Sequence, residues 1–248
     1  MLFRSNNLQD LERLLGNARG QAYVFTEAVF SMTGTHAPLA DIIALCNNYG
    51  ACLLVDEAHS LGLYGPQGKG LLAQHGLATQ VPVRVYPLGK AAGAAGALVV
   101  GPRLLIDYLV NTARAFIYTT APLPVQAWLA YTQLQAMAAA DVARGQLWAL
   151  AAHAQQHFTK SAEATPGIAP SMLHNYAKSA ILPIAPASGH AAWPSLLSAC
   201  AQAKLWVRPI RTPTVPPGEE CLRITLHHTN TIAELDTLLG LGVECIKY

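Results

Sequence analysis

Charge is scarce in this chain of 248 residues: only 12% are Asp, Glu, Lys or Arg, both signs are nearly balanced, and the formal net charge is +2. The basic residues form no cluster, which excludes the directed positive patch a nucleic-acid partner needs. Long apolar runs are also missing. Residues 51–55 and 97–100 are apolar but fall far short of the ~20 residues that cross a bilayer, so no membrane partner is expected. Residues 1–6 lack a secretory h-region, and the expectation is a cytoplasmic protein. Cysteines are few and scattered (Cys46, Cys52, Cys200, Cys221, Cys245), with no C-x-x-C pair. Buried, reduced thiols are expected rather than disulfides or a zinc site. His153 and His157 could share a helix face, but Ala154 stands where the metalloprotease motif has Glu. They read as ordinary helix histidines, and no metal is expected.

Apolar material is plentiful, at 52% of the chain, enough for a sizeable core or for a core with a smaller satellite domain. From residue 22 to about residue 124, short β-branched runs alternate with helical stretches. Residues 22–26 (AYVFT) predict a strand. Pro38 suits the first position of a helix over 39–49, and Gly50 stops it. Residues 51–55 (ACLLV) then predict a strand apolar on both faces. Strand, helix and buried strand in this order indicate a βαβ unit with a parallel sheet. Residues 83–85 and 97–100 would add further strands. After Pro122 and Pro124 the chain becomes alanine-rich, with helices expected over 126–137 and 141–160. From residue 179 a mixed pattern of short strands and helices predicts a small α+β domain. The expected division is 1–128 for part of a large domain, and 129–248 for connecting helices and the small domain.

Three elements carry candidate chemistry. Val55-Asp56-Glu57-Ala58-His59 closes the second strand, and ligands of open α/β sheets bind beyond the carboxyl ends of strands. Two carboxylates and an imidazole there form either a reactive site or a polar strand end that caps the next loop. In Pro87-Leu88-Gly89-Lys90-Ala91-Ala92-Gly93, one lysine stands among small residues that would let a flat ring approach the backbone. An apolar setting there would favour a nucleophilic amine; the alternative is a glycine turn with an incidental lysine. The glycines match neither a dinucleotide fingerprint nor a P-loop. Arg223 alternates with Leu222 and Ile224 along a strand and so faces away from them. It would either grip a carboxylate with two parallel hydrogen bonds or simply face solvent.

Taken in order, these segments resemble the α-oxoamine synthases, a family of fold-type I pyridoxal-phosphate enzymes. The match runs through residues 26–32 (TEAVFSM), 55–62 (VDEAHSLG), 65–70 (GPQGKG), 88–90 (LGK), 116–120 (FIYTT) and 208–226. The resemblance implies an α/β fold: a partial aspartate-aminotransferase-like large domain with a mainly parallel sheet, plus a small C-terminal α+β domain. It also implies pyridoxal 5'-phosphate as cofactor and a homodimer.

By the same resemblance Lys90 holds the cofactor and moves protons, Asp56 pairs with the pyridine nitrogen, and His59 bonds the ring's phenolic oxygen. Thr119 and Thr120 reach toward the partner subunit's cofactor phosphate, while Arg223 and Thr214 bind substrate. The implied reaction is a decarboxylating condensation of an amino acid with an acyl-CoA; in the biotin-pathway branch these are L-alanine and pimeloyl-CoA. Alternatives are a 2-amino-3-ketobutyrate CoA ligase-like member, a fold-type I aminotransferase, or a truncated, inactive homologue. Two departures stand out. Pro87 occupies the place of a phosphate-binding Thr or Ser and offers no hydroxyl or N–H. The family's N-terminal portion is also expected to be absent, which would leave an edge of the large-domain sheet open.

Overall fold

A computed structural model describes residues 3–4, 6–163, 179–186, 190–218 and 220–245. The order is α1 (Leu8–Gly16), β1 (Tyr23–Glu27), α2 (Leu39–Asn48), β2 (Cys52–Asp56), α3 (Leu71–Gln74), β3 (Val83–Pro87), β4 (Ala97–Val100), α4 (Arg103–Thr112), α5 (Arg114–Ile117), α6 (Pro124–Ala138) and α7 (Asp141–Glu163). There follow β5 (Ile181–Pro186), α8 (Trp193–Gln202), β6 (Pro209–Ile210), β7 (Cys221–Thr225), α9 (Ile232–Leu239) and β8 (Val243–Cys245). The chain divides into two compact units, one of residues 1–30 and 36–141, the other of residues 31–35 and 142–248.

In the first unit the sheet order is β1-β2-β3-β4. β1, β2 and β3 run parallel, as the βαβ pattern requires, with Glu27 opposite Asp56 and Asp56 opposite Val85. β4 is antiparallel to β3. The physical reason is the short connection over residues 88–96, too brief for the crossover that a parallel neighbour demands. Asn7 caps α1 by accepting from the Asp10 N–H. Pro38 caps α2 rather than opening it, one position earlier than expected. Leu39, Ile42, Ile43 and Cys46 of α2 are buried, with Leu53 and Val55 of β2. A second apolar cluster joins Leu61, Leu88, Ala92 and Ala94 to Leu134 and Met137 of α6.

β1 and β4 are the sheet's outer strands among the described residues. The exposed strand residues include Phe25 at 67% and Leu98, Val99 and Val100. Helices α4, α5 and α6 add Leu104, Tyr108, Phe116, Tyr118 and Trp128, all exposed.

The second unit is built on an antiparallel sheet, β6-β7-β5-β8. Ile181, Leu182 and Ile184 of β5 and Cys221 and Leu222 of β7 form its interior, with Leu147, Leu150, Ala154 and Phe158 of α7 also buried. Thr231 and Glu234 cap α9 reciprocally. His153 of α7 bonds Asp236 of α9 at 2.5 Å, a structural tie of the kind expected for a helix histidine. Among the described residues no helix is long and apolar enough to cross a membrane, and no group of His, Cys, Asp and Glu could hold a metal. Cys46, Cys52, Cys200 and Cys221 are free thiols.

Candidate active site

The carboxyl end of β2 delivers two adjacent carboxylates, and strand alternation sends them in opposite directions. Asp56 is half-buried. Its Oδ1 accepts the Ala58 N–H at 2.7 Å, fixing the turn that follows. Asp56 also lines an open cavity of about 810 Å3, walled on one side by Leu11, Leu14 and Leu15 and on the other by Phe25, Glu27 and Leu54.

Glu57 is fully buried. Its carboxylate accepts the Ser60 hydroxyl and the backbone N–H groups of Leu71 at 2.8 Å and Leu72 at 3.1 Å. Gly70 makes this possible, since a Cβ there would stand 2.6 Å from Glu57 Oε2. Burial pushes the Glu57 carboxyl above its ordinary value, and the three hydrogen bonds and nearby Arg84 pull the other way without prevailing. Burial likewise pushes the Tyr86 phenol up, helped by the Glu57 charge. Glu57 is therefore an internal tie that shapes the loop bearing His59. The sequence reading grouped it with the reactive residues; the alternation of a strand was the signal that could have separated them.

His59 lies half-buried in the turn after Asp56. The loop then meets the Lys90 turn. Gly62, at φ 85°, comes so close that a Cβ would be 2.7 Å from Ala91 Cβ and 2.9 Å from Met137 Sδ. Only glycine tolerates both that conformation and that approach. Lys90 follows β3 and is exposed, and its carbonyl accepts the Gly93 N–H at 2.9 Å. The structure thus seats the loop that follows β2 and carries His59 against the Lys90 turn, with Ala91 against Gly62 and Ala92 buried among Leu61, Leu88 and Ala94. Of the groups that pyridoxal phosphate requires, the chain carries a carboxylate, Asp56, on the wall of the open cavity and an exposed amine, Lys90, after β3. Pro87, within β3 and half-buried, supplies no hydroxyl for its phosphate. Thr119 and Thr120 follow α5 in the same unit, both exposed.

Arg223 and Thr214 belong to the second unit. Arg223, half-buried on β7, donates from Nε to the Ser31 carbonyl at 2.5 Å and from Nη1 to Thr225 Oγ1 at 3.2 Å. Thr214 is exposed, in a turn closed by its own N–H on the Arg211 carbonyl at 2.9 Å.

The family model for aminotransferase class I and II matches residues 3–239. The 8-amino-7-oxononanoate synthase of Marinobacter nauticus is 40% identical over 232 residues, covering 92% of this chain and 56% of that protein. The solved serine palmitoyltransferase from S. paucimobilis with bound PLP-myriocin aldimine is 29% identical with a TM-score of 0.83, covering 96% of this chain and 58% of that one. The 8-amino-7-oxononanoate synthase of Francisella tularensis, 27% identical, gives a TM-score of 0.71 over 94% of this chain and 65% of that one. The chain therefore spans less than two thirds of the length of these relatives. Their identities agree with the α-oxoamine synthase resemblance and with a partial fold-type I architecture.

Proposed function

Because this chain belongs to the aminotransferase class I and II family, we propose that its residues serve a cytoplasmic, pyridoxal-phosphate-dependent acyltransferase of the α-oxoamine synthase kind. The reaction is condensation of an amino acid with an acyl-CoA, with loss of carbon dioxide and release of CoA. L-Alanine and pimeloyl-CoA, the biotin-pathway pair, are the proposed substrates. The observation that carries this reading is the 40% identity to an 8-amino-7-oxononanoate synthase, in a chain whose Asp56 loop packs directly on the Lys90 turn.

When bound, the cofactor supplies an electron sink for the carbon α to the amine. Lys90 Nζ would hold it covalently and, once displaced by the amino acid, take and return the proton at the α-carbon. Asp56, fixed by the Ala58 N–H, would face the pyridine nitrogen and keep it protonated. His59 would donate to the phenolic oxygen. Arg223 would take the amino-acid carboxylate, with Thr214 as a further substrate contact. Thr119 and Thr120 would serve the partner subunit's phosphate in a homodimer, a reading supported by the exposed apolar side chains of α4, α5 and α6.

Pro87 supports a second reading, a homologue that retains the fold and holds the cofactor weakly or not at all. One experiment separates the two. The chain is mixed with pyridoxal phosphate, scanned in the visible, reduced with borohydride and peptide-mapped. A visible band with label on Lys90 is expected, followed by CoA release when L-alanine and pimeloyl-CoA are added to a full-length dimer. Label mainly on Lys69, Lys160 or Lys204 overturns the assignment of Lys90, and the absence of any band favours the second reading.

A further inference from the structure

Residues 31–35 come from early in the chain yet form part of the second unit, where two contacts seat them on the β5–β7 pair. The Ser31 carbonyl accepts Arg223 Nε at 2.5 Å. Gly34, at φ 70°, lies so close to β5 that a Cβ would fall 2.4 Å from Ser179 Oγ and 2.7 Å from the Ile181 carbonyl oxygen. The strap is braced internally by a 2.7 Å bond between the Thr33 and Thr35 hydroxyls. Ile181, the residue that Gly34 touches, pairs with Thr225 in the sheet. Thr225 is two positions beyond Arg223, hence on the same face, and its hydroxyl accepts Arg223 Nη1 at 3.2 Å. Strap, arginine and threonine therefore share a single patch of sheet.

We propose that the 31–35 strap and Thr225 are positioning elements for Arg223, fixing the plane of its guanidinium so that a substrate carboxylate is met in one orientation. The proposal rests on the functional reading above, in which Arg223 is the carboxylate site. A guanidinium recognises a carboxylate through two parallel N–H groups. A long arginine side chain left to itself samples many rotamers, and ordering it weakens binding. With Nε held by the Ser31 carbonyl and Nη1 by the Thr225 hydroxyl, two separate contacts limit rotation of the guanidinium. The interaction separates residues 31 and 223 in sequence, so the strap acts on the substrate arginine through a carbonyl that no side-chain substitution removes. Gly34 is the lever that does reach it.

The test uses the chain loaded with pyridoxal phosphate and titrated with L-alanine, or with ethylamine, which has the amine but no carboxylate. Thr225→Val is expected to raise the Kd for L-alanine about fivefold, in line with loss of one hydrogen bond, and to leave ethylamine unchanged. Thr225→Ser restores the parent value within about twofold on the same basis. Gly34→Ala acts in the same direction wherever it folds, and Thr225→Val decides the matter where it does not. Equal effects on L-alanine and ethylamine, or none on either, overturn the proposal. Should the parent chain show no visible band, the functional reading fails, and the brace is read separately by amide hydrogen exchange. Arg223→Gln is then expected to speed exchange in residues 31–35 about tenfold, the scale of one lost hydrogen bond to a charged group; unchanged exchange overturns the brace as well.

Discussion

The two units bury their sheets differently. In the second, the antiparallel strands keep Ile181, Leu182, Ile184, Cys221 and Leu222 almost wholly out of solvent. In the first, the parallel strands β1, β2 and β3 are of a type that is normally covered on both faces. Yet Tyr23 and Phe25 of β1 and three residues of β4 remain exposed, as do the large side chains of α4, α5 and α6. The first unit also holds Asp56, His59 and Lys90, whereas the second holds Arg223 and Thr214. Exposed apolar strand and helix residues thus accompany the proposed cofactor residues, and a buried antiparallel sheet accompanies the proposed substrate residues. Substitutions in the two units should therefore produce different kinds of failure.

The largest effect is expected at Lys90. Lys90→Ala should abolish the visible band and the borohydride label, because Lys90 is the proposed site of that bond. A band that persists in the variant would break the assignment of cofactor chemistry to the first unit. Arg223→Ala should leave the band intact and weaken L-alanine binding by about 2–5 kcal/mol, as for a charge losing its partner. Loss of the band in that variant, measured by the same absorbance scan, would show that the second unit's role extends to the cofactor.

Next in size is the exposed helical surface. Trp128 is 64% exposed on α6, with Tyr131, Leu123 and Val125 nearby in sequence and similarly open. A buried aromatic at the centre of an interface commonly contributes about 2 kcal/mol or more. In the proposed homodimer, Trp128→Glu should therefore raise the dissociation constant by about thirtyfold in sedimentation equilibrium. An unchanged constant would exclude Trp128 from the interface.

Much of this was legible in the sequence, for identifiable reasons. The β1-α2-β2 unit follows from periodicity and from Gly50, and the positions of Asp56 and Lys90 follow from strand ends. Within the mixed stretch after residue 179 the individual bounds were not legible, and one strand spans only Pro209–Ile210, because short extended runs lack boundary signals. The antiparallel direction of β4 follows from the short connection over 88–96, but two features were not legible. The Gly62 approach to Ala91 and Met137 depends on tertiary packing. The bond from Arg223 to Ser31 joins residues that no local pattern relates. Arg223 could be proposed as a carboxylate site from a motif, but its contact with Ser31 could not.

The smallest predicted effect concerns Glu57 and depends on pH. Its carboxylate is fully buried and satisfied by Ser60, Leu71 and Leu72, yet burial still raises its pKa from the ordinary 4.5. A raised acid pKa means that the folded state binds the proton more tightly than the unfolded state. Folding stability attributable to this group is therefore greatest below the unfolded value and falls as pH rises from about 4.5 through the folded pKa. Glu57→Gln keeps an acceptor for one of the two backbone N–H groups, which donate to different carboxylate oxygens, turns its NH2 toward the other, and removes the titration. It should destabilise the first unit by about 1–2 kcal/mol at acidic pH, where the parent's protonated carboxyl makes its bonds without a buried charge. The deficit should shrink as pH rises, because only the parent then incurs the cost of a desolvated anion. Urea denaturation of both proteins across pH 4 to 8 reads the difference directly. A gap that widens with pH would mean that the Leu71 and Leu72 N–H groups outweigh desolvation, and that Glu57 is held as a stable internal anion.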